Sequence, residues 1–187
     1  MAQPERLVVG LGNPGADYAF TRHNIGFMAL DVLAPSSNWQ RKFGAEIQHA
    51  VLNGVPCLLI KPLTFMNLSG EAVGEALRFY KLAAGAVIVF HDDIDLLPGK
   101  AKVKQGGGHA GHNGLKSLDA HIGPDYWRVR LGVGHPGHRD QVSDHVLSSF
   151  AKADRVWLEP LLGNIAAAFP LALEGKMDDF AKRLSVA

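Results

Sequence analysis

Leu7-Val8-Val9-Gly10-Leu11-Gly12-Asn13-Pro14-Gly15 joins a strand-like apolar run to a glycine-rich turn. A strand breaking at once into G-x-G-x-x-G matches the dinucleotide-binding fingerprint and points to an α/β sheet with a ligand at the end of its first strand. The rest of that fingerprint is missing. A helix is required at the third glycine, but Asp17-Tyr18-Ala19-Phe20-Thr21-Arg22 delays the helical stripe to Ile25. The ribose-binding acid expected about 20 residues on is also missing, because Asp31 falls on the polar face of a helix. The stretch is therefore read as a tight loop whose glycines let the chain turn and present Asn13 at a strand's carboxyl end.

Working outward, β-rich apolar runs recur at Leu7–Leu11, Ile47–Leu52, Val55–Ile60 and Val87–Phe90, and more weakly at Ala101–Lys104 and Val129–Val133. Asn53-Gly54 between the second and third runs is a two-residue hairpin signal. Helical periodicity places Ile25, Met28, Ala29, Val32 and Leu33 on one face, and Ala72, Val73, Ala76, Leu77 and Tyr80 on another. A further helix is expected to start near Asn113, with that asparagine as its N-cap. From about residue 151 the chain reads as helical: Leu158, Leu161, Leu162, Ile165 and Phe169 share a face, Pro160 lies near the start or at a kink, and Met177–Leu184 forms an amphipathic tail. The expected fold is a single α/β domain over residues 1–187, a mixed, mostly parallel twisted sheet sandwiched by helices.

Composition is that of an ordinary globular chain, with 47% hydrophobic and 20% charged residues in 187. A formal net charge of +1 excludes a global field for nucleic acid, so any basic surface has to be local. The lone Cys57 excludes an intramolecular disulfide and reads as a buried, inert thiol. Met1–Arg6 carries charge and proline with no long apolar run after it, so neither a leader nor a membrane span is expected, and the cytoplasm is the expected compartment.

Polar clusters follow the strands. Asn13 follows the first, Thr64–Asn67 the hairpin, His91-Asp92-Asp93 the fourth run, and the glycine-rich His109–Asn113 stretch the run ending at Lys104. If these strands run parallel, the clusters meet in one crevice outside their carboxyl ends. A His–Asp pair there would let a carboxylate orient an imidazole that takes a proton from water. The competing arrangement is a metal site from His91, Asp92, Asp93, Asp95 and the His109-x-x-His112 pair, but flexible glycine flanks give such ligands no fixed geometry. Lys100, Lys102, Lys104 and Lys116 stand without an acid between Gly99 and Leu118, and with Arg128 and Arg130 they read as a phosphate clamp. An edge strand guarded by lysines explains those lysines almost as well. No G-x-S-x-G elbow is present, which disfavours an acyl-enzyme.

Taken together these residues resemble the bacterial-type peptidyl-tRNA hydrolase family. The resemblance rests on Gly10–Gly15 (GLGNPG), Tyr18, Thr21–Gly26 (TRHNIG), Lys61–Gly70 (KPLTFMNLSG), His91–Pro98 (HDDIDLLP), Gly106–Lys116 (GGGHAGHNGLK) and Arg130–Pro136 (RLGVGHP). It runs in order from near residue 6 to about 150. Ala110 stands where a glycine is common, Ala34–Gly44 is slightly short, and the C-terminal part matches only as a helical tail. The resemblance implies a monomeric, metal-independent and cofactor-free esterase that releases peptides from tRNA dropped off the ribosome. It implies His23 as general base and Asp92 as the residue stabilising its basic form. Asn67 and Asn113 would hold polar groups of the substrate, beside Met66, with Tyr18 and Phe65 near the 3′-terminal nucleotide. Asn13 would separate N-blocked from free aminoacyl groups, and Lys104 and Arg130 would clamp the 5′-phosphate of the tRNA. Two other classes make different predictions: a nicotinamide-binding protein binds NAD(P), and a non-catalytic RNA-binding module binds tRNA without cleaving it.

Overall fold

The computed structural model describes residues 2–187. Its sheet contains β1 (Arg6–Gly10), β2 (Gln40–Lys42), β3 (Ala45–Leu52), β4 (Val55–Pro62), β5 (Val87–Asp93), β6 (Ala101–Gln105) and β7 (Trp127–Gly132), in the order β2-β3-β4-β1-β5-β7-β6. β4, β1, β5 and β7 are parallel neighbours, while β2–β3, β3–β4 and β6–β7 pair antiparallel. The sheet is thus mixed, with its parallel strands at the centre. The hairpin predicted at Asn53-Gly54 pairs Leu52 with Val55. Both turn residues have positive φ, 49° and 77°, as a two-residue turn matched to strand twist requires.

The helices are α1 (Ile25–Leu33), α2 (Ser69–Tyr80), α3 (Asn113–Ile122), α4 (Val142–Val146), α5 (Arg155–Leu173) and α6 (Met177–Lys182). Period-two alternation divides the strands between two cores. Val8, Leu59, Ile88 and Phe90 face α1, α5 and α6, whereas Leu7, Val9, Ile60 and Val89 face α2 and α3. Burial on both faces explains why the central strands read as continuous apolar runs. Burial also pushes the Cys57 thiol up to about 11, so it is a core residue and no nucleophile. Lys152–Leu173 is apolar and long enough to cross a membrane by composition, yet its Leu161, Ile165 and Phe169 pack into the core.

Two elements escape the sequence pattern. β2 is Gln-Arg-Lys, exposed throughout, and is a strand only because β3 offers it hydrogen bonds. α4 has five residues, too few to show a period.

The glycines of the opening loop work differently from expectation. Of Gly10, Gly12 and Gly15 only Gly15 has positive φ, at 101°. Gly10 matters through close approach: a Cβ there would stand 2.3 Å from the carbonyl oxygen of Gly26. A Cβ on Gly26 would in turn stand 2.4 Å from the carbonyl oxygen of Phe90. These two residues let the first turn of α1 sit directly on the carboxyl ends of β1 and β5.

Candidate active site

That contact delivers His23, which lies in the 3-10 turn Arg22–Asn24 just before α1. Asp92 is the penultimate residue of β5 and is buried. His23 Nδ1 lies 2.8 Å from Asp92 Oδ2, and His112 Nε2 lies 2.8 Å from Asp92 Oδ1. His112 sits one residue before α3, where its Nδ1 accepts the amide hydrogens of Gly114 at 3.1 Å and Leu115 at 3.3 Å. A nitrogen that accepts carries no hydrogen, so His112 is held as the Nε2–H tautomer and donates to Asp92. The N-cap of α3 is therefore His112 and not Asn113, which is the helix's first residue.

Burial opposes ionisation of Asp92, but the two imidazoles outweigh it and hold its carboxyl far below the usual carboxylate range. For His23 burial lowers the pKa, while the charge and hydrogen bond of Asp92 more than compensate, leaving it raised above 6.5. With Nδ1–H committed to the carboxylate, neutral His23 presents a bare Nε2. His91 donates its Nδ1–H to the carbonyl oxygen of Asp92 at 2.8 Å. Its burial, and then His112 beside it, push its pKa down to about 4, so it adds no charge near Asp92.

Asn13 is buried and tied into the same floor. Its Oδ1 accepts from the Met66 amide at 2.8 Å, and its backbone exchanges hydrogen bonds of 2.9 Å with the Asn24 side chain. Since Oδ1 must accept that amide hydrogen, the side-chain nitrogen is the atom left to face the cleft. The cleft, of about 840 Å³, is lined by Asn13, His23, Met66, Asn67, Asp92 and Asn113. Phe65 stands at its edge, 56% exposed, with the half-buried Tyr18 ring packed edge-on against it at 6.3 Å.

The basic flank divides into separate roles. Lys104 is exposed and lines the cleft, its ammonium near Gly107. Arg130 lines it too, with Nε donating to Asp93 Oδ2 at 2.7 Å. Arg128, read from sequence as part of a phosphate clamp, is buried instead. It donates to the carbonyls of Gly108 at 2.9 Å, Gly107 at 3.0 Å and Pro124 at 3.3 Å, and to Asp119 at 3.2 Å. Lys100 is also occupied, donating to the Val186 carbonyl at 2.5 Å. The expected parallel course of the glycine-rich segment is corrected as well. β6 is an antiparallel edge strand, so Gln105 ends beside Trp127 at the amino end of β7. The Gly106–Gly111 loop climbs back to the site, and the Arg128 guanidinium holds its carbonyls on the way.

The ligands of the competing metal arrangement do not converge as a set. Asp93 is taken by Arg130, and His109 Nδ1 accepts the Gly111 amide at 3.0 Å. Among the described residues, His23, Asp92 and His112 do converge. A metal on His112 Nε2 would have to move its hydrogen to Nδ1, against the two amides that donate there.

Sequence reasoning kept His112 only as a metal ligand or a motif residue. Its neighbours Gly111 and Asn113 carry no signal that separates a helix-capping histidine from a metal ligand. It also missed the wall formed by Arg139, Val142, Ser143 and Val146, which belongs to the unpredicted α4 and the turn before it.

The chain is similar to known peptidyl-tRNA hydrolases in sequence and in fold. A family model described as peptidyl-tRNA hydrolase matches residues 7–186. The peptidyl-tRNA hydrolase of Rhodospirillum centenum is 53% identical over 184 residues, covering 97% of this chain and 81% of that protein. That of Agrobacterium fabrum is 55% identical, covering 97% and 78%. Among solved structures, peptidyl-tRNA hydrolase from Acinetobacter baumannii superposes with a TM-score of 0.90 at 34% identity, covering 100% of this chain and 98% of its own.

Proposed function

The chain belongs to the peptidyl-tRNA hydrolase family, and from that premise we propose that it cleaves the ester between a peptide and the terminal ribose of tRNA with His23 as general base. The observation that carries this reading is the 2.8 Å contact of His23 Nδ1 with an ionised Asp92 that His112 also holds. It leaves one basic nitrogen, His23 Nε2, at the floor of the cleft.

In the proposed reaction Nε2 takes a proton from water as the oxygen attacks the ester carbonyl. The tetrahedral intermediate then expels the ribose oxygen, and His23 returns the proton to it. The products are a peptide acid and tRNA with a free hydroxyl. Asp92 keeps its charge throughout and stabilises the imidazolium that forms between the two transfers. Asn67 and Asn113 offer side-chain amides to polar groups of the substrate, next to Met66. The Asn13 amide nitrogen is a donor: it donates to an acyl oxygen and repels an ammonium, which separates N-blocked from free aminoacyl esters. Phe65 and Tyr18 supply apolar rings for the unpaired 3′ end. Lys104 and Arg130 supply charge for a terminal phosphate.

The tautomer fixed at His112 makes water activation by His23 the simpler chemistry than metal activation. The site is complete within one chain, in keeping with a monomer, and its substrate belongs to the cytoplasm. Hydrolysis of N-acetyl-aminoacyl-tRNA beside its unblocked counterpart, with and without chelator, tests the reading. The expected result is chelator-resistant cleavage of the blocked substrate that His23→Ala nearly abolishes without loss of fold. Binding of tRNA with no cleavage, or a His23→Ala variant that keeps most activity, would sink it.

A further inference from the structure

Arg22, the neighbour of His23, reaches away from Asp92 into the segment that follows α4. Its Nη1 donates to Ser148 Oγ at 2.6 Å, to the Ser149 carbonyl at 3.0 Å and to the Ser148 carbonyl at 3.3 Å. Its Nη2 donates to Asp154 Oδ2 at 3.3 Å. The guanidinium lies 5.6 Å from the centroid of Phe150, which packs edge-on against Trp157. Asp154 is itself held, accepting from the Ala151 amide at 2.6 Å and from Trp157 Nε1 at 3.2 Å.

The half-buried ion pair with Asp154 is one contact among several. Most of the guanidinium's contacts go to oxygens of the segment that follows α4: the Ser148 hydroxyl, the Ser149 carbonyl, and the Ser148 carbonyl that also accepts the Arg22 amide. That segment is the root of α4, a helix too short to be stable alone. At its other side α4 is tied to the exit of β7, where His145 Nε2 donates to the Gly134 carbonyl at 2.9 Å and the Val133 carbonyl at 3.2 Å. Val142, Ser143 and Val146 of α4 line the cleft that holds His23.

We infer that Arg22 is a positioning residue for the reaction: its planar fork sets the spacing between the His23 turn and the α4 wall. The inference rests on His23 being the base. The fork shape matters because Nη1 meets Ser148 and Ser149 while Nη2, fixed in the same plane, meets Asp154, and an ammonium has no second nitrogen to hold that spacing. Backbone contacts between the two segments, Arg22 N to Ser148 O at 3.1 Å and Phe150 N to Phe20 O at 2.9 Å, do not depend on the side chain.

The test uses the full chain with Arg22→Ala and Arg22→Lys, assayed on N-acetyl-aminoacyl-tRNA and by amide hydrogen exchange. The expected result for both variants is a kcat lowered about tenfold or more, with KM changed by no more than about threefold. The amides of Leu147, Ser148 and Phe150 should exchange faster while those of β1 and β5 keep their protection. A kcat within about twofold of wild type in Arg22→Lys overturns the inference, since charge and stem then suffice. It is also overturned if kcat falls without faster exchange at the α4 root, if exchange rises without a fall in kcat, or if protection is lost equally in the strands. Should Arg22→Ala fail to fold, Arg22→Lys decides by the same criteria. A wild-type chain inactive on this substrate overturns the base assignment and this inference together, whereas an active wild type with unchanged variants overturns this inference alone.

Discussion

Asp92 has two imidazole partners, and they pull its charge in opposite directions. His23 gains basicity from the carboxylate, while His112, a fixed Nε2–H donor, draws part of that charge away. Opposite pH shifts follow. Activity needs neutral His23, so kcat/KM should rise with pH through a pKa above 6.5, the direction in which Asp92 moves it. Asp92→Asn removes the carboxylate and leaves burial to dominate, so the acid limb should move to lower pH while kcat falls about a hundredfold or more. His112→Asn keeps an N-cap but takes a donor from Asp92, so the limb should move to higher pH. A pH–rate profile on each variant checks both signs, and shifts in the same direction would show that the two histidines do not share one carboxylate. The His–Asp partnership was legible in the sequence from His91-Asp92-Asp93 at a strand end and the resemblance around Thr21–Gly26. Its third member was not, because nothing local distinguishes a histidine that caps a helix from one that ligates a metal.

At the scale of elements, the site depends on a helix pressed onto two strand ends and on a loop pulled upward. Gly26→Ala should place a methyl group against the Phe90 carbonyl, costing about 1–3 kcal/mol of stability in urea unfolding and displacing His23 from Asp92. Arg128→Met should cost about 1–3 kcal/mol, because it takes the buried donor away from the carbonyls of Gly107 and Gly108. Lys104→Ala, at the exposed penultimate position of β6, should leave the unfolding free energy unchanged within about 0.5 kcal/mol. If Arg128→Met unfolds like Lys104→Ala, the guanidinium is a ligand group and not a strut. The elements read from sequence were those with a period: apolar runs buried on both faces, and helices with a stripe. β2 and α4 exist because partners hold them, and an exposed Gln-Arg-Lys or a five-residue helix carries no period to detect.

For the whole molecule, a net charge of +1 leaves nucleic-acid affinity to a local flank. If Lys104 meets a tRNA phosphate, its removal should lower the slope of log affinity against log salt by about 0.7–0.9. An unaltered slope would make it an ordinary edge-strand lysine. A cleft built from one chain also predicts that turnover per molecule is independent of protein concentration, and a rate that rises with concentration would point to a shared site. The amino-acid sequence by itself determined the α/β class, the strand-end clusters and the family, because period, turn residues and motif order are local properties of a chain. Only the tertiary structure decided that Gly10 serves close approach, that Arg128 is a strut while Lys104 and Arg130 face the cleft, and that His112 shares Asp92. Those outcomes depend on which groups meet across the sheet, and a one-dimensional pattern carries no distance between residues that far apart.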